Sequence, residues 1–145
     1  MKLLVFGLPG SGKTYLAKRL QDEISCAWYN ADEVRKMAND WDFSEEGRTR
    51  QANRMRTLAD FENSNGRTVI CDFVCPFESA REHFGADLTV WMDTIEEGRF
   101  EDTNNVFQPP EPNNVDFVIT KDSWWTEDAV NTWLHKIKEE VNKEQ

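Results

Sequence analysis

The segment from Gly7 to Thr14 is the part of the chain whose residue types and spacing most directly indicate chemistry. It matches the pattern G-x-x-x-x-G-K-[ST] of a phosphate-binding loop. In such a loop backbone N–H groups wrap the phosphates of a nucleotide, Lys13 reaches the β- and γ-phosphates, and the Thr14 hydroxyl ligates Mg²⁺. The sequence therefore predicts a site for ATP and Mg²⁺. Its residues are Gly7, Leu8, Pro9, Gly10, Ser11, Gly12, Lys13 and Thr14.

The residues on either side of this loop have the pattern that a phosphate-binding loop requires. An apolar run over 2–6 predicts a strand that leads into the loop, and residues 15–20 predict an amphipathic helix that follows it. The positive end of that helix would lie at the phosphates. A glycine-rich turn without a ligand is the alternative, and the strand before and the helix after favour the phosphate site.

Two carboxylates follow predicted strands and are candidates for the reaction itself. Asp32 lies two residues after a strand over 26–30, where it can orient or deprotonate an acceptor hydroxyl; the alternative is a carboxylate that only favours a helix start. Asp72 ends a strand over 67–72, where a carboxylate can hold Mg²⁺; the alternative is a turn residue at a strand end. Both alternatives stay open from these residues alone.

The charge of the chain narrows its partners. A formal net charge of −10 predicts a surface that repels nucleic acids and anionic membranes. One basic cluster stands against it: Arg48, Arg50, Arg54 and Arg56. This cluster either binds a small anion or forms a solvated helix face paired with Glu45, Glu46 and Asp60. No run is long enough to span a bilayer, no signal peptide is recognisable, and three cysteines lack metal-ligand spacing. We therefore expect a cytoplasmic protein without a membrane partner.

Alternating strand and helix signals predict the elements that position these residues. Strands are predicted over 3–6, 26–30, 67–72, 88–93 and 115–119, helices over 13–23, 31–39, 44–63, 76–84 and from 126, and an irregular stretch over 94–114. Because the strands are apolar throughout, we expect an α/β protein with a parallel sheet covered on both faces. Side chains that follow different strands would then converge at the phosphate-binding loop. One domain over 1–145 is predicted.

Several further stretches carry a family resemblance. They are Asn30-Ala31-Asp32-Glu33-Val34-Arg35, Asp42-Phe43-Ser44, Phe73-Val74-Cys75-Pro76, Asp93-Thr94, and Phe107-Gln108-Pro109-Pro110. With the phosphate-binding loop they resemble the motifs of the adenylylsulfate kinases over roughly residues 3–120. These enzymes use ATP to phosphorylate the 3′-hydroxyl of adenosine 5′-phosphosulfate.

The resemblance implies a three-layer α/β/α P-loop kinase fold with a five-stranded parallel sheet, and a role for each matching residue. Phe43 and Phe100 would sandwich the adenine of the acceptor. Arg35 and Arg48, with Arg54, would hold the phosphosulfate. The remaining acceptor contacts implied are Asp32, Gln51, Phe73 and Val74, and the catalytic residues are Lys13, Asp32 and Arg99. The residue pattern described above, rather than the resemblance, predicts Thr14 and Asp72 as the residues that hold Mg²⁺. The implied partner is a small-molecule nucleotide, and a homodimer stays open.

Some departures from the family leave the acceptor open. The basic lid of the family shrinks to residues 95–99, and Arg99 is its only candidate replacement. Cys75 replaces a serine, which excludes a phosphoserine intermediate there, and Asp72 replaces a small residue. Asp72, together with the spacing of Asn30, Asp32 and Arg35, also resembles polynucleotide 5′-hydroxyl kinases. Two alternatives follow. The chain is a kinase for a nucleoside, a modified nucleotide or a polynucleotide 5′-end, or it is a degenerate nucleotide-binding regulator.

Overall fold

The structure, a computed structural model, describes residues 1–143, so the last two residues of the predicted domain, 144–145, lie outside the described residues. Its strands are β1 (Lys2–Phe6), β2 (Cys26–Asn30), β3 (Thr68–Phe73), β4 (Leu88–Asp93) and β5 (Phe117–Thr120). They form one parallel sheet in the order β2-β3-β1-β4-β5. The predicted five-stranded parallel sheet is therefore confirmed.

Strand β1 lies at the centre of the sheet, and this sets where the ends of its neighbours meet. Phe6 at the end of β1 pairs in register with Phe73 of β3 and Trp91 of β4. The segments that follow these three strands therefore start at the same edge of the sheet. On β3 and β2 the pairing of Asp72 with Asn30 brings two polar side chains together at that edge.

Six α-helices cover the sheet in the described chain. They are α1 (Lys13–Glu23), α2 (Ala31–Ala38), α3 (Glu45–Ser64), α4 (Glu78–Phe84), α5 (Glu101–Val106) and α6 (Glu127–Lys143). The prediction of an irregular stretch over 94–114 is wrong, since it contains α5 and a 3-10 turn, Pro112–Asn114. The helix α5 is a single short helix without a side-chain N-cap, and its two asparagines are poor helix formers, so its sequence pattern is weak.

The alternation of β1 side chains separates two hydrophobic cores. Leu3 and Val5 point to one face, where they join a core that includes residues of α1 and α6. Leu4 and Phe6 point to the other face, towards residues of α3 and α4. All four are fully buried, as expected for a parallel sheet covered on both sides. This confirms the three-layer α/β/α architecture.

Side-chain caps fix the start of the two helices that border the site. The Asn30 side chain accepts a hydrogen bond from the Glu33 N–H at 3.1 Å and starts α2. Ser44 accepts one from the Gly47 N–H at 3.2 Å and starts α3. Capping oxygens of this kind satisfy backbone donors that a helix leaves unpaired. Among residues 1–143 no helix has the length and apolar character to cross a membrane.

Candidate active site

The phosphate-binding loop connects β1 to α1, and its close contacts require glycine at two positions. Gly7 has φ 152° and Gly12 has φ 99°. A Cβ atom at Gly7 would lie 2.7 Å from the Met92 carbonyl oxygen, and one at Gly12 would lie 2.6 Å from Nε1 of Trp124. Neither distance can be tolerated, so the loop packs against the end of β4 and against a buried tryptophan.

Lys13 turns back over the loop that precedes it. Its ammonium group donates a hydrogen bond to the Leu8 carbonyl oxygen at 2.9 Å. Burial lowers the pKa of Lys13 to about 8, and the charges of Asp72 and Asp32 oppose that shift. A cation held this way gains its full partner when a phosphate enters the loop, which is the role predicted for Lys13.

A hydrogen-bonded network joins the loop to Asp72. The Asn30 amide nitrogen donates to Thr14 Oγ1 at 3.1 Å and to Asp72 Oδ1 at 2.7 Å. Nε1 of Trp28 donates to the other oxygen, Asp72 Oδ2, at 2.9 Å. Burial raises the pKa of Asp72 to about 6 against the effect of these two donors and of Lys13. The two residues predicted for Mg²⁺, Thr14 and Asp72, therefore share one neighbour, Asn30.

A cavity of about 850 Å³ extends from this network towards α3 and the turn after β3. Most of the predicted site residues line it: Pro9, Gly10, Gly12, Lys13, Thr14, Asp32, Arg35, Phe43, Arg48, Gln51, Asp72, Phe73, Val74, Arg99 and Phe100. The structure thus brings residues from distant parts of the sequence to one cavity. Gly7, Leu8 and Ser11 belong to the loop but lie outside this lining.

Two arginines lie at the end of the cavity opposite the loop. The buried Arg35 donates to the carbonyl oxygens of Asp40 at 2.9 Å and Asp42 at 3.2 Å, and its guanidinium carbon lies 4.4 Å from the centroid of the Phe43 ring. Arg48 donates to the Phe43 carbonyl oxygen at 2.8 Å and lies 5.6 Å from the same ring. Phe43 remains half exposed beside both cations. An aromatic group and positive charge therefore adjoin each other here.

Arg54 differs from the other predicted site residues because it lies outside the cavity lining. It donates to Gln51 Oε1 at 2.6 Å and to Asp40 Oδ2 at 2.9 Å. Gln51 in turn donates to the Ala31 carbonyl oxygen at 3.0 Å. An ion pair with Asp40 thus holds the Arg54 side chain beside Gln51, and its contact with an acceptor stays a prediction.

The basic cluster on α3 is therefore mostly structural. Arg50 pairs with Asp40 at 2.7 Å and Arg56 with Asp60 at 3.3 Å. Of the two interpretations of the cluster, the paired helix face holds for Arg50, Arg54 and Arg56, with Asp40 as the main partner. Arg48 is the member of the cluster that lines the cavity, and the anion-binding interpretation stays a prediction for it.

Trp41 lines the cavity and was not predicted from the sequence. Its neighbours are held tightly: Asp40 by Arg50 and Arg54, and Asp42 by a bond from the Ser44 N–H at 2.9 Å. Trp41 itself is 52% exposed. A large aromatic side chain that is exposed on an anchored turn is typical of a ligand contact. The available signal was an aromatic residue between two aspartates just before a helix cap.

The segment that replaces the lid of the family is short and closed against the loop. The Asn104 side chain both accepts from the Gly98 N–H at 2.8 Å and donates to the Gly98 carbonyl oxygen at 2.9 Å. A Cβ atom at Gly98 would lie 3.0 Å from Pro9 of the phosphate-binding loop. Arg99, which is exposed, stands next in the chain, and its charge is close enough to lower the pKa of Lys13 further. The segment therefore presents one cation at the loop.

Arg81 holds the opposite wall and was also missed. It donates to the Cys75 carbonyl oxygen at 2.9 Å and to the Gln108 carbonyl oxygen at 2.6 Å, and it lies 4.5 Å from the centroid of the Phe6 ring. The turn that it fixes includes Cys75, a non-glycine residue with φ 45°. Burial raises the pKa of the Cys75 thiol to about 12, so this side chain stays protonated and packs in the core.

A family model described as adenylylsulphate kinase matches residues 1–96, which include the loop, Asp32, both cavity arginines and Asp72. The chain belongs to the adenylylsulphate kinase family. As a member of this family of phosphotransferases, it is similar to a probable adenylyl-sulfate kinase of Aeropyrum pernix, with 38% identity over 84 residues. That alignment covers 52% of this chain and 44% of the relative, so the chain spans less than half of the length of this curated relative.

Solved structures place this adenylylsulphate kinase family member within a wider fold. The structure of Mycobacterium tuberculosis APS kinase CysC in complex with AMPPNP and APS superposes with a TM-score of 0.72 at 20% identity, covering 97% of this chain and 96% of the other. A sugar kinase from Janibacter sp. HTCC2649 gives 0.71 at 18%, covering 94% of each. These likenesses confirm the P-loop kinase fold, and the fold alone leaves the acceptor undecided.

Proposed function

We propose that the chain transfers the γ-phosphoryl group of ATP to the 3′-hydroxyl of adenosine 5′-phosphosulfate. The observation that carries this proposal is a single cavity lined both by the phosphate-binding loop and by Phe43, Arg35 and Arg48. The acceptor combines an aromatic base with a phosphosulfate anion, and the cavity offers an aromatic ring beside two cations. Family membership supports the same reaction.

At the loop end we assign ATP to residues 7–14. Lys13 would contact the transferring phosphoryl group, where a positioned cation stabilises the charge that spreads over its oxygens. Asp32 lies in the first turn of α2 and lines the same cavity. It would orient the acceptor hydroxyl or accept its proton. Arg99, at the mouth of the cavity, would add a second cation to the phosphoryl group.

The oxygen ligands near Thr14 fit Mg²⁺. Mg²⁺ keeps several waters and takes one or two protein carboxylates plus phosphate oxygens. The Thr14 hydroxyl and the Asp72 carboxylate form such a small set, and each Asp72 oxygen accepts one hydrogen bond and retains a further lone pair. Mg²⁺, when bound, neutralises charge on the β- and γ-phosphate oxygens. Thr14 and Asp72 would hold it.

At the acceptor end Phe43 and Phe100 would stack on the adenine, and Arg35 and Arg48 would hold the phosphosulfate. Both rings line the cavity and are about half exposed, so each keeps a face free for a ligand. Gln51, Phe73 and Val74 would complete the acceptor wall. Because Arg54 pairs with Asp40, it supports this wall from behind.

The test is a turnover assay with ATP, Mg²⁺ and a panel of acceptors, with calorimetry on the ADP-loaded protein. Adenosine 5′-phosphosulfate should give the highest kcat/KM. Phe43→Ala or Phe100→Ala should raise its KM about 5- to 100-fold, since a stacked base is worth roughly 1–3 kcal/mol, while ATP affinity changes little. Phe61→Ala, an equally exposed ring on α3 outside the cavity lining, is the control. Absence of any binding of adenosine 5′-phosphosulfate would overturn the proposal.

A kinase for another hydroxyl acceptor is the second candidate. The fold is about equally similar to a sugar kinase and to an APS kinase, so the fold does not choose between the two acceptors. The shortened lid segment also leaves another acceptor open. The panel therefore includes a sugar, a nucleoside and a 5′-hydroxyl oligonucleotide. Faster turnover of one of these than of adenosine 5′-phosphosulfate would replace the first proposal with the second.

A further inference from the structure

Asn30 occupies a position that no motif of the phosphate-binding loop includes, and it makes three side-chain hydrogen bonds. Its oxygen accepts from the Glu33 N–H at 3.1 Å. Its nitrogen donates to Thr14 Oγ1 at 3.1 Å and to Asp72 Oδ1 at 2.7 Å. An amide nitrogen has two hydrogens, so both are used. One side chain therefore connects the loop, the buried strand β3 and the helix that carries Asp32.

The chemistry of this contact depends on which side chain is an amide and which is an acid. A carboxylate at position 30 could still cap α2, because Asp is as good an N-cap as Asn. It would, however, face the Asp72 carboxylate at hydrogen-bond distance without a proton donor between them. Like charges so close and so buried strongly disfavour each other. Two acids at positions 30 and 72 would therefore have to share a proton, and one of them would lose its charge.

Asn30 and Asp72 are register partners on the neighbouring strands β2 and β3. The acid therefore stands at the end of β3, and the amide at the end of β2 connects it to Thr14.

We propose that Asn30 is a positioning residue, which forms with Asp72 a matched amide–acid pair that orients the Thr14 hydroxyl and the α2 carboxylate for the phosphoryl-transfer site. This proposal rests on the proposed ATP–Mg²⁺ site. The pair, rather than either residue alone, is the functional unit. Trp28 completes it by fixing the second Asp72 oxygen at 2.9 Å.

The test is a charge-exchange cycle with Asn30→Asp, Asp72→Asn and the double variant. Each single change breaks the pairing, by two acids or by two amides, and should lower turnover about 10-fold or more. The double variant restores one acid and one amide in reverse order, and its turnover should exceed the value obtained by multiplying the two single losses by about 10-fold. Asn53→Asp on α3 and Asp22→Asn on α1, both exposed, control for the charge changes alone.

Two further readouts separate positioning from mere stability. Calorimetry of ADP binding with and without Mg²⁺ should show the Mg²⁺ effect reduced in both single variants and reduced less in the double variant than the two single losses together predict. Melting temperatures report folding. If Asn30→Asp fails to fold, Asn30→Ser keeps a helix cap but lacks the two amide donors, and it should fold with a reduced Mg²⁺ effect. An unchanged Mg²⁺ effect in Asn30→Ser would overturn the proposal.

The cycle has a clear negative outcome. If the loss in the double variant equals the product of the two single losses, the residues act independently and the pair does not exist. Failure of the proposed function would be distinguishable, because ADP and Mg²⁺ binding needs no acceptor. A wild type without turnover of adenosine 5′-phosphosulfate but with the expected calorimetric cycle would contradict that reaction and retain the pair.

Discussion

Lys13 is held in the nucleotide-free protein at the expense of stability. Burial disfavours its charged form and lowers its pKa to about 8, although Asp72 and Asp32 act in the opposite direction. Between pH 8 and 10.5, the ordinary pKa of a lysine, the unfolded chain binds more protons at this residue than the folded chain does. The buried Lys13 therefore lowers the free energy of unfolding most below pH 8, and this loss of stability becomes smaller as the pH rises from 8 to 10.5.

We predict that Lys13→Met separates activity from stability. ATP turnover should fall at least ~100-fold, because a cation aimed at the transferring phosphoryl group is removed. The melting temperature of the nucleotide-free protein should rise at pH 7, and its advantage over the wild type should shrink towards pH 10. Scanning fluorimetry across this pH range measures the second effect. Lys18→Met, an exposed change on the same helix, should alter neither quantity.

At the same scale, Trp41 should contribute to acceptor binding. Trp41→Ala should raise the KM of the acceptor about 5- to 100-fold and leave the ATP dissociation constant unchanged, because loss of one stacked aromatic costs roughly 1–3 kcal/mol. The matched control is Trp125→Ala, which removes an indole that is 58% exposed and lies outside the cavity lining. Equal KM values for the two variants would show that Trp41 does not contact the acceptor.

The segment from β4 to the end of α5 packs against the phosphate-binding loop, and we predict that it limits the access of water to the phosphates of a bound nucleotide. Its closure depends on two hydrogen bonds between Asn104 and the Gly98 backbone and on the contact of Gly98 with Pro9. Thr94 adds a bond to the Ser11 carbonyl oxygen at 2.7 Å. Closing segments exclude water and bring cations to the reacting group. In this chain one short segment would both exclude water and bring the cation of Arg99 to the loop.

We predict that Arg99→Ala lowers turnover more than it weakens substrate binding, because the charge acts on the phosphoryl group in transfer. Asn104→Ala should instead release the segment and increase ATP hydrolysis in the absence of acceptor. ADP release with and without acceptor distinguishes the two effects. Asn105→Ala, the exposed neighbour on α5, is the control. Tight coupling in Asn104→Ala would mean that closure has another origin.

Some elements of the fold could be predicted from the sequence, and others could not. The strand, glycine loop and helix around Lys13 could be predicted because each is a local sequence pattern. The parallel sheet could be predicted because apolar strands alternate with helices along the chain. The helix α5 was missed because a helix of six residues has too few turns to show a period. Arg81 was missed because it contacts Gln108, 27 residues away. The orientation of Arg54 could not be predicted because it depends on an ion pair with Asp40, which lies before the start of α3. Such contacts depend on packing and leave no local pattern.

The whole molecule combines an acidic surface with a cationic cavity. The net charge is −10, while Lys13, Arg35, Arg48 and Arg99 all line one site. A small anion can enter this site and meet the local positive charge, whereas a long polyanion must also lie along the acidic exterior. This arrangement favours a single nucleotide over a nucleic-acid end as the acceptor.

We predict that kcat/KM for a mononucleotide acceptor exceeds that for a 5′-hydroxyl oligonucleotide by about 10-fold or more at low salt. The difference should narrow as salt is added, because the screening length falls to about 10 Å at 0.1 M. A salt titration with both acceptors measures it. A preference for the oligonucleotide would support a polynucleotide 5′-hydroxyl kinase instead.

The contact of Trp124 with Gly12 has an optical consequence. This indole is buried, lies edge-on to Tyr15 with ring centroids 6.1 Å apart, and contacts the glycine next to the phosphate-binding lysine. Its emission should therefore respond when an anion fills the loop, and Trp124→Phe should remove that response while the other five tryptophans remain. Such a response would let nucleotide binding be followed in real time without a label.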